Sequence, residues 1–503
     1  MQYNVNKQHD NFKLHAIERL RLLLDKDSFK EIGKDVSEFG TAYSDSKYQY
    51  DGVITGYGYI KNKLVFVYAQ DFTVCGGTVG LKHAKKIVRV IDLAIENKVP
   101  IIGINDSGGA RIQEGVNSLA GYGEIFFKNS KASGYIPQIS IIVGPCAGGA
   151  VYSPGITDFV FMTCNTATMY VTGPRVLKQM TGVKCSQNEL GGADVHSKSG
   201  VVHFIHNNEK DCFNAVQKLI SLLPQNCEEK NKIPPNYIFK KVNLSENIPT
   251  NSRKIYDMHI LIDEVVDDND FFEVHKKFAT NIIVGFGKIS GILIGIVANN
   301  PNSFVGVLDC DASVKAARFI RFCDCYNIPI ITFVDVPGFM PSIQEEEKGI
   351  IRHGAKLLFA YSEATTIKVT IIIRKAYGGA YIAMGSKHLG ADMVFCWPIG
   401  EVAVMGAEGA VEILYRKELE KVDIYQKDEY IKRYCQKYEK RFVGVSAALK
   451  EGYIDGIIEP NQTREVVFNT LVALQNKNQQ QTILKKHNKH ETPRGLHGWH
   501  HFP

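Results

Sequence analysis

Two largely apolar runs, residues 139–143 and 369–373, dominate the hydrophobic pattern of this chain. Each gives way within a few residues to small ones, Ala147-Gly148-Gly149-Ala150 in one place and Gly378-Gly379-Ala380 in the other. Apolar runs with no polar alternation predict strands covered on both faces. Residues 82–96 and 314–325 carry apolar positions at helical spacing and lead into further apolar runs at 99–104 and 328–334. Strands alternating with helices in this way predict α/β layers around buried sheets. The first strand is expected to break at Gly144-Pro145 and the chain to become helical after the glycines. A strand that empties into glycines at a helix start exposes backbone N–H groups at the positive end of a helix dipole.

The pattern is written twice. Gly56 and Gly58 fall on Gly285 and Gly287, Pro100-Ile101-Ile102 on Pro329-Ile330-Ile331, and Asp106 and Gly109 on Asp335 and Gly338, each 229 positions on. Gly149 falls on Gly379 with one residue more. A register held over about 90 residues indicates internal duplication. The seam is expected between 224 and 252, where four prolines stand among Asn, Lys and Glu with little periodicity. Two domains follow, 1–245 and 246–503. Residues 409–442 read as helices with charge pairs at i, i+4, a solvated face. Residues 476–503 form a polar, His-rich tail whose histidines lack metal spacing.

Composition narrows the function. A chain of 503 residues with 45% hydrophobic and 22% charged residues is globular, with length for two cores. Its formal charge of +6 is scattered rather than gathered in a basic stripe, which argues against nucleic-acid binding. It has no apolar run of membrane-spanning length and no leader pattern at its start, so a cytoplasmic protein without membrane insertion is expected. The cysteines, 11 in number, have no framework spacing and are expected to be reduced structural thiols. Cys323 and Cys325 form a lone C-x-C without a second pair, and no metal site is expected.

The chemistry lies in the glycine turns. Amides fixed in a turn suit a carbonyl oxygen on which negative charge develops, and losing one such donor costs about 2.7–4 kcal/mol in the barrier. The loops Gly108-Gly109-Ala110 and Gly148-Gly149 in one half, and Gly338-Phe339 and Gly379-Ala380 in the other, are expected to converge at adjacent strand ends as two oxyanion holes. The competing reading is that the glycines only permit tight strand-to-helix corners. No Ser/His/Asp set or carboxylate pair stands beside either turn as acid and base.

Several segments carry a resemblance: DFTVCGGTVG at 71–80, NDSGGARIQEGVNSLAGYGEIF at 105–126, GPCAGGAVYSP at 144–154, FVDVPGFMP at 333–341, GIIRHGAKLL at 349–358 and RKAYGGAYIAMGSKH at 374–388. The chain closely resembles the carboxyltransferase β subunits of biotin-dependent acyl-CoA carboxylases, above all those acting on propionyl-CoA. The resemblance implies two tandem crotonase-like domains, a hexamer, a CoA thioester substrate, and biotin carried by a separate biotin carboxylase or carrier subunit. It implies that the biotin itself removes the α-proton, which accounts for the missing base. Carried over by position, Gly148, Gly149, Gly379 and Ala380 are the catalytic amides. Gly108, Gly109, Ala110, Arg111 and Ile382 are assigned to the CoA substrate, with Arg111 either meeting a CoA phosphate or pairing with Glu114. Gly338, Phe339, Gly378 and Tyr381 are assigned to biotin. Which half serves which ligand stays open.

The chain departs from the family pattern at Ile382, where many propionyl-type members have Asp and where the resemblance implies an acyl pocket that also takes acetyl-CoA, and at residues 342–348, SIQEEEK. It has no biotinyl-acceptor sequence and no region for charging biotin. Two rival readings are enzymes: the α subunit of a methylmalonyl-CoA decarboxylase or transcarboxylase, with the same chemistry run toward biotin, and, from another class, a biotin-independent crotonase-type hydratase or isomerase, which needs positioned acid and base side chains. A third is a scaffold that only orders partner subunits.

Overall fold

A computed structural model of the chain describes residues 2–37, 50–229, 234, 236–423 and 425–477. The described residues divide into two compact units, 2–229 with 275–278, and 234–274 with 279–477. Most of the His-rich tail, from 478 onward, lies outside the described residues.

The first unit is built on strands β1 (Lys30–Ile32), β2 (Val53–Ile60), β3 (Lys63–Gln70), β4 (Ile101–Ser107), β5 (Gln138–Ala147), β6 (Phe159–Thr163), β7 (Thr168–Tyr170) and β8 (Phe204–His206). They lie in the order β1-β2-β3-β4-β5-β6-β8, with β7 beside the end of β5. Pairing is antiparallel from β1 to β3 and parallel from there on. The second unit repeats the plan with β9 (Phe272–Val274), β10 (Ile282–Ile289), β11 (Ile292–Asn299), β12 (Ile330–Val336), β13 (Lys368–Tyr377), β14 (Met393–Cys396), β15 (Glu401–Ala403) and β16 (Gly456–Ile457). Their order is β9-β10-β11-β12-β13-β14-β16, and β15 lies beside β13 as β7 does beside β5. Helices α1 (Leu81–Asn97) and α2 (Val116–Ala132) pack together in the first unit, and α3 (Cys310–Cys325) and α4 (Ile350–Glu363) in the second.

Close approach explains the repeated glycines. A Cβ on Gly56 would stand 2.2 Å from Lys30 O, and one on Gly285 2.5 Å from Phe272 O, so each edge strand seats only against glycine. Polar residues are also buried at matching positions. Lys86 and Lys315 run through the core beneath the β2 and β10 strands and donate to Val53 O and Ile282 O, each at 2.7 Å. Burial brings the Lys315 ammonium down to about 7.

The strands run further than their apolar cores suggest. β5 does not stop at Gly144-Pro145 but continues to Ala147, because its last three residues pair with β7. β4 and β12 run on through Asn105-Asp106-Ser107 and Asp335-Val336, all buried. Between 407 and 442, helices Ala407–Leu414, Arg416–Leu419 and Lys427–Phe442 carry a small core of Val411, Leu419 and Cys435 with Tyr430 stacked on Tyr434, so this region is more than a solvated face. None of the 11 cysteines is disulfide-bonded.

Candidate active site at the two glycine turns

Each glycine turn stands above a buried carboxylate. In the first unit Asp106, at the end of β4, is fully buried and meets Lys13 Nζ at 2.7 Å and Arg19 Nη1 at 2.9 Å. Arg19 in turn holds Glu209 at 2.8 Å. Gly144 on the neighbouring strand makes room for it, since a Cβ there would lie 1.9 Å from Asp106 Oδ1. In the second unit the strand position equivalent to Gly144 is Arg374, which reaches Asp335 at 2.8 Å and donates to Pro249 O, Asn251 O and Lys254 O. Tyr256 adds its hydroxyl to Asp335 at 3.1 Å and its ring to the guanidinium at 4.5 Å. Burial still leaves the Asp335 carboxyl above its ordinary value. Above both carboxylates the backbone is held in the same way: Asp106 N–H donates to Gln70 Oε1, and Asp335 N–H to Asn299 Oδ1.

On these supports the turns have one shape. Gly148 has φ +62° and Gly378 φ +58°, a left-handed conformation that glycine adopts without a Cβ penalty. Gly149 and Gly379 then open the following helical turn: a 3-10 turn over Gly148–Val151 leading into Tyr152–Ile156 in the first unit, and helix Gly378–Ala383 in the second. These helices are short, so any stabilisation of an oxyanion comes from individual amides more than from a macrodipole. Gly149 is half-buried over Tyr122, whose ring would stand 3.1 Å from an added Cβ. Gly379 is exposed, and an added Cβ would approach only Phe339, at 3.9 Å. Ala380 is buried. Cys146 closes the first turn by donating its thiol to Ala150 O at 3.1 Å; burial raises its pKa, as for an inert structural thiol.

The Gly-rich loops after β4 and β12 do converge on these strand ends, since Ser107 pairs with Cys146 and Val336 with Ala376. The glycine amides of the first loop are committed to the fold, however. Gly108 N–H donates to Gly76 O at 2.9 Å and Gly109 N–H to Ser107 Oγ at 3.1 Å. Ala110 forms a bridge with Val79, and Phe339 the equivalent bridge with Leu308. Gly338 lies in open space at φ +156°. Arg111 is not placed to meet a phosphate. It is 3% exposed, and its guanidinium bonds Asp51, Glu114 at 2.8 Å and Thr78 O at 2.9 Å. Ile382 is exposed on helix Gly378–Ala383. Tyr381 is buried edge-on to His388, which meets Tyr453 in the same way.

Two acidic residues, Glu114 and Glu345, fix both loops in a role that spacing along the chain does not reveal. Glu114 accepts from Leu81 N–H at 2.7 Å and Glu345 from Cys310 N–H at 2.8 Å, so each carboxylate caps the helix that starts beside its loop. Burial opposes the charge on Glu345. Hydrogen bonds from Lys348 and Cys310 outweigh that and bring it down to about 2. The unusual segment at 342–348 is thereby accounted for: it is the helix Ile343–Lys348, capped by Ser342, that carries Glu345. The signal was the register, which aligns Asp106 with Asp335 and Leu81 with Cys310, but their partners come from distant segments.

The chain matches the carboxyl transferase domain family over residues 7–490. It belongs to that family. It is 49% identical to the carboxyltransferase subunit of propionyl-CoA carboxylase from Haloferax mediterranei, over 96% of this chain and 94% of that one. It is 48% identical to the α subunit of methylmalonyl-CoA decarboxylase from Veillonella parvula, again over 96% and 94%. Among solved structures it is similar to the transcarboxylase 12S hexamer with methylmalonyl-CoA and methylmalonic acid bound, with a TM-score of 0.92, 43% identity, and coverage of 97% and 94%. The protein is thus a carboxyltransferase with the two-domain crotonase-like fold, and each of its two units carries one of the duplicated turns.

Proposed function

We propose that this carboxyltransferase moves a carboxyl group from carboxybiotin, held on a partner biotin carrier or biotin carboxylase subunit, to the α-carbon of propionyl-CoA. The observation that carries this reading is the pair of matching glycine turns, one in each unit, at the ends of β5 and β13. Carboxyl transfer develops charge on two oxygens, a thioester carbonyl and a ureido carbonyl, and a duplicated site supplies a donor set for each. Gly148-Gly149 serve the thioester and Gly379-Ala380 the ureido group. The second turn fits biotin: it offers neutral amides beside the ring of Phe339 and space at Gly379. Bound there, biotin supplies the base that takes the α-proton.

The names and ligands of the relatives support propionyl-CoA and methylmalonyl-CoA as the substrate pair. The chain works as a hexamer in the cytoplasm, its halves acting as tandem carboxyltransferase domains, 1–245 and 246–503. The similarity to a methylmalonyl-CoA decarboxylase subunit supports a second reading, the same chemistry run from methylmalonyl-CoA toward biotin.

The test is the reverse half-reaction with purified chain, free biotin, and malonyl-CoA or methylmalonyl-CoA in turn. Biotin-dependent loss of the carboxyl group, faster with methylmalonyl-CoA, is expected. Loss that is independent of biotin, or none with either ester, would overturn the proposal.

A further inference from the structure

The turn after β11 keeps a conformation that its sequence resists. In the first unit the equivalent turn is Cys75-Gly76-Gly77, with φ +48°, +63° and +64°. In the second it is Phe304-Val305-Gly306, with φ +46°, +56° and +74°. Two glycines suit that path; a phenylalanine followed by a β-branched valine does not, because a Cβ crowds the backbone in the left-handed region. The path is imposed by its surroundings. Gly306 O accepts from Asn299 Nδ2 and Val307 O from Asn281 Nδ2, while Val307 N–H bonds Phe304 O. Despite this strain, both side chains face outward, Phe304 65% and Val305 48% exposed. Neither contributes to the core that would repay the strain.

The turn's position gives those side chains a use. It follows β11, which runs parallel to β12 as β12 does to β13, so it lies at the same end of the sheet as the second glycine turn. Leu308 N–H donates to Gly338 O at 3.1 Å and Met340 N–H to Leu308 O at 2.8 Å, which ties the turn's exit to the loop carrying Phe339. The Phe339 ring in turn lies 3.9 Å from where a Cβ on Gly379 would be. A strained backbone kept with exposed apolar side chains beside a reaction site is where function, rather than packing, explains the residue choice.

We propose that Phe304 and Val305 form an apolar wall for the bicyclic body of biotin at the second glycine turn, and so set the affinity for that substrate. The assignment rests on the functional reading above. The first unit supplies the control sequence, because Cys-Gly already follows this path there. In the double variant Phe304→Cys, Val305→Gly, the Tm is expected to rise by about 2–4 °C as strain is relieved. In the reverse half-reaction its KM for free biotin should rise at least tenfold, with the KM for methylmalonyl-CoA and the mass of the assembly unchanged. An unchanged biotin KM in a stabilised variant would make the turn structural and overturn the assignment. A changed mass would make the pair a contact between copies, and a shift confined to the KM for methylmalonyl-CoA would move it to the other substrate; either overturns it. Failure of the parent chain to turn over would instead overturn the functional reading, and this assignment with it.

Discussion

At the scale of single residues, the two turns separate what a glycine does for the fold from what it does for chemistry. Gly149 is needed by the fold whatever its part in the proposed chemistry, because a side chain there meets the ring of Tyr122 at 3.1 Å. Gly379 has no such neighbour, so Gly379→Val is expected to leave the protein folded with an unchanged Tm while screening the amides behind it. Biotin-dependent loss of the carboxyl group from methylmalonyl-CoA should fall by about 100-fold or more, the usual consequence of losing an oxyanion donor. Retained activity would show that the second turn is only a corner. Arg111 teaches the opposite lesson. Its place after a Gly-rich loop suggested a phosphate contact, but a cation 3% exposed between Asp51 and Glu114 has its charge already met. Spacing along the chain cannot show that, since Asp51 is 60 residues away.

At the scale of elements, each site hangs on a strand end whose carboxylate must be neutralised, and the two units solve this differently. The first uses a glycine on β5 and brings Lys13 and Arg19 in from the N-terminal segment. The second places the cation on β13 itself, as Arg374. Removing one partner of a buried pair costs about 3–5 kcal/mol, because the other charge is left uncompensated. Arg374→Met is therefore expected to lower stability by that amount in chemical denaturation, with a smaller loss when Asp335→Asn is added. Equal losses in the single and double variants would mean that the guanidinium acts through its three backbone carbonyls instead. The apolar runs located β4, β5, β12 and β13, but not their ends. Buried polar residues such as Asn105, Asp106 and Ser107 complete β4, and their burial is tolerated only because side chains and neighbouring strands satisfy them.

At the scale of the molecule, the duplication governs the plan, while charge tunes each copy. His259, in the second unit, lies between Glu273 at 3.2 Å and Asp257 at 2.6 Å. The hydrogen bond with Glu273 first, and Asp257 after it, raise its pKa from 6.5 to about 9 against the opposing effect of burial. A histidine whose folded pKa lies above its unfolded value stabilises fully below pH about 6.5, and that share is lost as the pH rises through about 9. Stability measured from pH 6 to 10 should decline across this window, and the decline should be shallower in His259→Gln; identical profiles would rule His259 out as its source. By itself the sequence determined the duplication, the α/β layering, the two glycine turns and the family, because these are local: apolar runs, glycines at fixed offsets and motifs short enough to read along the chain. Tertiary structure alone decided which amides are committed, which cations neutralise Asp106 and Asp335, and that Arg111 is structural. It also decided that Val305 is held in a conformation it resists. Each of those depends on groups far apart in sequence meeting within a few ångströms, and on burial making an unmet charge or a crowded Cβ costly.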